Sequence, residues 1–170
     1  MGDAGASAAE HVALVEQLVG LAERRLLDPL EILTQDPGLV RPLRERLRAD
    51  AEMWAARLLG PDDRQARHTG ARLISAFCPG DAPFEMPVAW WRTPLGRAIA
   101  RRMGHPSADV VSYPVAAAML GITRQGVHDL VRRGKLDRAA DAPGTRSGGV
   151  TTASVHARLL SRTGDPQNRR

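Results

Sequence analysis

Residues 111–139 read VSYPVAAAMLGITRQGVHDLVRRGKLDRA, and the punctuation of this stretch decides the reading of the fold. Ser112 stands where it can cap a helix. Pro114 falls at an early helical position, where its missing N–H costs no bond, and small and medium apolar residues fill positions 115–120. Gly121 is placed to end that helix. After Ile122, Thr123 is a good N-cap for a second helix over 124–133, with Gly134 as its stop. Two short helices joined by three or four residues that include glycine are the pattern of a helix-turn-helix.

The second helix separates into two faces. At about 100° per residue from Arg124, Val127, Leu130 and Val131 fall on one side, and Arg124, Gln125, His128, Asp129 and Arg132 on the other. The polar side carries the residue types that read base edges, because arginine bonds bidentately to guanine and glutamine to adenine. Reading helices point their N-terminal turn into the major groove, which is where Arg124 and Gln125 stand. His128 can donate to a phosphate or a base. Arg132, Arg133 and Lys135 are placed to neutralise backbone phosphates.

Beyond Gly134, residues 136–139 are expected to form a short strand, Pro143-Gly144 a turn and 148–151 a return strand, which together make a wing. Arg146 would sit near its tip, within reach of a phosphate or the adjacent minor groove. Thr151 or Thr152 then caps a last helix in which Val155, Leu159 and Leu160 pack back on the hairpin, with His156 as polar surface.

The stretch quoted above, together with GGVTTASVHARLL at 148–160, resembles the winged helix-turn-helix of the excisionase and MerR-type DNA-binding superfamily. The resemblance covers roughly residues 110–162. It implies a first helix after Ser-x-Pro, a reading helix after a Gly-hydrophobic-Thr turn, and a basic wing leading to a third helix near Thr152. It also implies DNA contacts at Thr123, Arg124, Gln125, His128, Arg132 and Arg146. Two departures stand out: Val115 replaces the glutamate that often follows the early proline, and the wing is longer and richer in glycine than usual.

Upstream, Ser7 and Glu10 have the spacing of a capping box, and apolar residues from Val12 to Leu26 recur at helical spacing, predicting a helix over 8–27. Asp28-Pro29 can itself cap a short turn through Glu31, Ile32 and Leu33, since proline is tolerated at a first helical position, and Asp36-Pro37 repeats the punctuation. A further helix is expected from Pro42, with Leu43, Leu47, Ala51, Trp54 and Leu58 as its stripe and Gly60 as its end. Another follows Pro61, with Ala66, Leu73, Ile74 and Phe77, and stops at Pro79-Gly80. Trp54 lies on an apolar stripe and reads as core. Trp90 and Trp91 are adjacent in a proline-rich segment and cannot both face one core by helical periodicity, so they are candidates for partner binding. Thr93-Pro94 opens a helix as N-cap and first position, Gly104 ends it, and His105 reads as a loop residue.

Charge follows the same division. Residues 1–92 hold 11 Arg against 14 acids, a net of −3, and residues 93–170 hold 13 Lys+Arg against 5 Asp, a net of +8. A basic C-terminal half suggests a polyanionic partner. The total of +5 is carried almost wholly by arginine, since Lys135 is the one lysine in the chain. The longest apolar runs fall far short of the ~20 residues of a membrane-spanning helix, so no membrane is expected and a cytoplasmic, nucleoid-associated protein is. The single cysteine, Cys78, makes no intramolecular disulfide. Five scattered histidines offer no metal spacing, so neither metal nor cofactor is expected.

The sequence therefore predicts a mainly α protein, with a helical N-terminal domain followed by a winged helix-turn-helix bearing a small β-hairpin wing. The expected boundaries are an acidic all-helical domain over 1–92 for dimerisation or partner binding, a basic connecting helix and hinge over 93–109, the DNA-binding domain over 110–162 and a flexible tail over 163–170. No nucleophile-base pair, glycine-rich phosphate loop or carboxylate pair at ligand spacing points to an enzyme. The expectation is a homodimeric, sequence-specific binder of double-stranded DNA, most simply a transcription regulator. An accessory DNA-bending factor for a phage or plasmid recombinase is the nearest alternative. A protein-interaction adaptor using the tryptophan pair and the acidic helices is an alternative of another class.

Overall fold

In the computed structural model of the chain, which describes residues 2–78, 84–139 and 148–163, helices dominate, and the sheet among those residues has two short antiparallel strands. The chain divides into two units, Met1–Pro79 and Gly80–Arg170. The first ends earlier than the expected boundary at residue 92. The reason is local: residues 84–92 pack with the helix that follows them. Trp90–Arg92 forms a single 3₁₀ turn, and Thr93 Oγ1 donates to the Trp90 carbonyl at 2.7 Å.

Among the described residues the first unit contains four α-helices: α1 (Gly2–Ala22), α2 (Asp28–Thr34), α3 (Pro37–Leu59) and α4 (Asp63–Phe77). Ser7 lies inside α1 and is not its cap, so the expected start near residue 8 is corrected to Gly2. Asp28-Pro29 does not break the chain either. Pro29 cannot donate to the carbonyl four residues back and its ring crowds it. The chain widens into a π-helical turn over Glu23–Leu27, in which the Asp28 N–H donates to the Glu23 carbonyl, and it runs on directly into α2. The real break is Gln35, in the left-handed region at φ 52°. Asp36 then caps α3 through the N–H groups of Gly38 and Leu39, with Pro37 in the first turn, so α3 starts five residues before the expected Pro42. Asp62 caps α4 through Gln65. Leu14, Leu18, Val40, Ala51, Ala55, Leu58, Leu73 and Phe77 make the core of this unit. Leu43 of the expected α3 stripe is exposed, as is Val12 of α1.

The second unit contains α5 (Pro94–Met103), β1 (Val110–Ser112), α6 (Tyr113–Leu120), α7 (Arg124–Arg132), β2 (Gly149–Thr151) and α8 (Thr152–Thr163). Thr93 caps α5 as expected, its Oγ1 accepting from the Gly96 N–H at 3.1 Å. Trp91 is fully buried among Phe84, Trp90 and His105, which corrects its assignment as a surface partner contact; Trp90 is half-buried.

The sheet differs from the expected hairpin. β2 pairs antiparallel with β1, which the sequence reading left out, in the register Val110 to Thr151, Val111 to Val150 and Ser112 to Gly149. The expected first wing strand is reduced to one bridge, Arg138 to Val150, on the other side of β2. Glycine is required at 149, because a Cβ there would lie 2.5 Å from Val110 Cγ1 and 3.0 Å from the Val111 carbonyl oxygen. The strand β1 forms because Val111 and Val150 bury their side chains together at this pairing. The turn at Pro143-Gly144 lies outside the described residues.

Thr151 caps α8 through the Ser154 N–H at 3.3 Å. Thr152 is buried and donates its hydroxyl to the Ala108 carbonyl. Val155 and Leu159 are buried as expected, but Leu160 is exposed. His156 is not simply polar surface, since its Nε2 donates to the Arg101 carbonyl at 2.9 Å and ties α8 to α5.

Candidate nucleic-acid interface

The approach to α7 is built by two local devices. At the end of α6, Gly121 sits at φ 65°, the Gly121 N–H donates to the Ala118 carbonyl at 3.3 Å, and the Ile122 N–H reaches the Ala117 carbonyl at 3.0 Å. That paired arrangement needs a residue in the left-handed region, which glycine supplies without a steric penalty. Thr123 then accepts the Gly126 N–H on its Oγ1 at 3.1 Å and starts α7. Ser112, by contrast, occupies the N-cap position of α6 without a side-chain capping bond, which corrects the sequence expectation. Pro114 in the first turn of α6 needs no N–H partner, so the helix starts without it.

Val127 fixes the inner side of α7, fully buried. Arg124, Gln125, His128 and Arg132 are exposed along the other side, as the helical periodicity predicts. Among the described residues, neither the Arg124 nor the Gln125 side chain has a hydrogen bond or an ion pair. His128 is not free-standing: its ring meets Tyr113 edge-on, with centroids 4.5 Å apart. Arg132 is paired with Asp129 at 2.8 Å but keeps 76% of its side chain exposed, so the pair is weak and readily exchanged for another anion.

The remaining candidates lie beyond the last turn of α7 or outside the described residues. Arg133 is the C-cap residue just past α7, so the expected end at 133 is corrected to Arg132, and it lines a groove with Leu120, Ile122, Leu130, Arg158 and Arg162. Arg162 is held there by donating to the Leu120 carbonyl at 2.7 Å. Lys135 is exposed just beyond Gly134, where the chain leaves α7 with its N–H on the Leu130 carbonyl. Arg146 lies outside the described residues.

Three residues near the site escaped the sequence reading. Tyr113 supports His128, a contact between the start of α6 and the middle of α7 that no spacing rule announces. Arg138 gains a fixed position only through its bridge to Val150. Arg158 reaches the groove beside Arg133 from α8, distant in sequence. Among the described residues no cluster of three His, Cys, Asp or Glu is placed to hold a metal ion, and no helix is long and apolar enough to cross a membrane. Comparison with protein-family models, with curated proteins and with solved structures returns no match to this chain.

Proposed function

We propose that the chain is a sequence-specific double-stranded DNA-binding protein that reads the major groove with α7, and that residues 110–162 act as a winged helix-turn-helix. The observation that carries this reading is the first turn of α7. Arg124 and Gln125 are exposed and unengaged among the described residues, on a capped helix whose opposite side is anchored by Val127. An unpaired arginine and glutamine there can take up base edges without first breaking an internal bond. Arg132 and Lys135, exposed farther along, suit phosphate contacts that set register. The bridge from Arg138 to Val150 supports a wing beginning beside α7. Regulation of transcription is the simplest use of such a reader.

The same proposal makes the protein a homodimer, because one small reader covers few base pairs and a two-fold pair doubles the site. Ile32 and Leu33, 73% and 82% exposed, with Leu39 and Leu43 also exposed, are apolar side chains of the first unit that a second copy would cover. The test is selection of bound duplexes from a random library, repeated at about 50 and about 200 mM salt. The expected result is a recovered motif with two half-sites and an affinity that falls steeply with salt. No retention at low salt, or retention without a motif, would overturn the reading.

A further inference from the structure

A groove between α3 and α4, with a volume of about 530 Å³, lies within the first unit. That size falls in the range of small-molecule sites. Its apolar wall comes from Leu26, Trp54, Leu73 and Phe77, and the Trp54 and Phe77 rings meet edge-on at 6.5 Å. Its ionisable lining among the described residues is basic, Arg57, His68 and Arg72, with no acidic residue among them.

Four of the six other arginines on these helices pair with carboxylates, whereas Arg41 and Arg64, exposed and outside the groove lining, have no ion pair among the described residues. Arg44, Arg46 and Arg48 of α3 and Arg67 of α4 are each paired with a carboxylate, at 2.7–3.8 Å. The side chains of Arg57, His68 and Arg72 have no ion pair or hydrogen bond among the described residues. Cations over a low-dielectric apolar wall concentrate a positive potential in the cleft. Arginine also binds a carboxylate in a two-pronged, charge-assisted geometry.

We propose that this groove binds a small apolar carboxylate, its ring or branched body against Trp54 and Leu73 and its charge on Arg57 and Arg72. A ligand cation would be repelled and a neutral analogue would leave the arginines unused. The site belongs to the first unit alone, so it stands or falls separately from the DNA reading.

The test is NMR titration of the full-length ¹⁵N-labelled protein with naphthoate, beside the neutral naphthamide. The expected result is saturation with a Kd below about 1 mM, amide shifts centred on residues 54–57 and 68–77, and about tenfold weaker binding of naphthamide. The double substitution Arg57→Gln with Arg72→Gln should remove that preference and leave naphthamide binding unchanged, which also reports an intact groove. The proposal is overturned if naphthoate fails to saturate by about 5 mM, if the two probes bind alike, if the shifts fall elsewhere, or if the double variant keeps its preference for naphthoate.

Discussion

His105 packs against Trp91 with ring centroids 5.0 Å apart, and Phe84 meets it edge-on at 5.8 Å. Its Nδ1 accepts the backbone N–H groups of Ala108 at 3.0 Å and Ser107 at 3.3 Å, so that nitrogen must be unprotonated. Burial lowers its pKa from the ordinary 6.5, opposed in part by the charge of Glu85. A histidine held neutral in this way contributes stability that is full above the unfolded value and is lost as pH falls through the folded value. The stability gap between the wild type and His105→Gln should therefore narrow as pH is lowered from about 7.5 to about 5.5. The imidazole should titrate below 6.5 by NMR; a midpoint at or above that value, with a constant gap, would contradict the account. Nothing in the sequence around His105 announces this role. Its partners Phe84 and Trp91 lie 14 or more residues upstream, and only packing brings them to it. The exposed face of α7 was legible, because it depends on periodicity within nine residues.

At the scale of elements, local chemistry was readable and non-local pairing was not. Thr93 and Thr123 cap the helices they were expected to cap, since a hydroxyl, an N–H three residues on and an extended backbone are all that capping needs. Strand β1 was missed because its partner β2 lies nearly 40 residues away, and the short VVS run has no alternation of its own. The continuation through Pro29 was missed because a π-helical turn satisfies bonds that a proline would otherwise orphan. Two glycines separate the kinds of constraint at work. At Gly121 an added Cβ would meet nothing within 4 Å, so Gly121→Ala should lose only the left-handed backbone preference, about 1 kcal/mol. At Gly96 a Cβ would run into the Trp90 carbonyl oxygen, backbone that cannot swing aside. Gly96→Ala should therefore cost more, about 2–3 kcal/mol, by the strain of overpacking. Urea denaturation of the two variants checks the order, and equal losses would contradict it.

Across the whole molecule, the division at Pro79 sharpens the asymmetry of charge. Residues 1–79 carry 10 Arg against 12 acids, and residues 80–170 carry 14 Lys+Arg against 7 acids. The proposed roles follow that partition, with a polyanion for the basic unit and a second copy and a small carboxylate for the other. Composition made the asymmetry plain, but the unit boundary depends on Thr93, Gly96 and Trp90 holding residues 84–92 against α5, which composition does not record. The central claim is that the first turn of α7 reads base edges. The measurement that tests it most directly is the affinity of Arg124→Ala, against wild type, for a selected duplex and for a scrambled duplex of the same length and salt. The account predicts a loss of about 1–3 kcal/mol on the selected duplex and almost none on the scrambled one. Equal losses on both would make Arg124 a phosphate contact, and no loss on either would remove α7 from the interface.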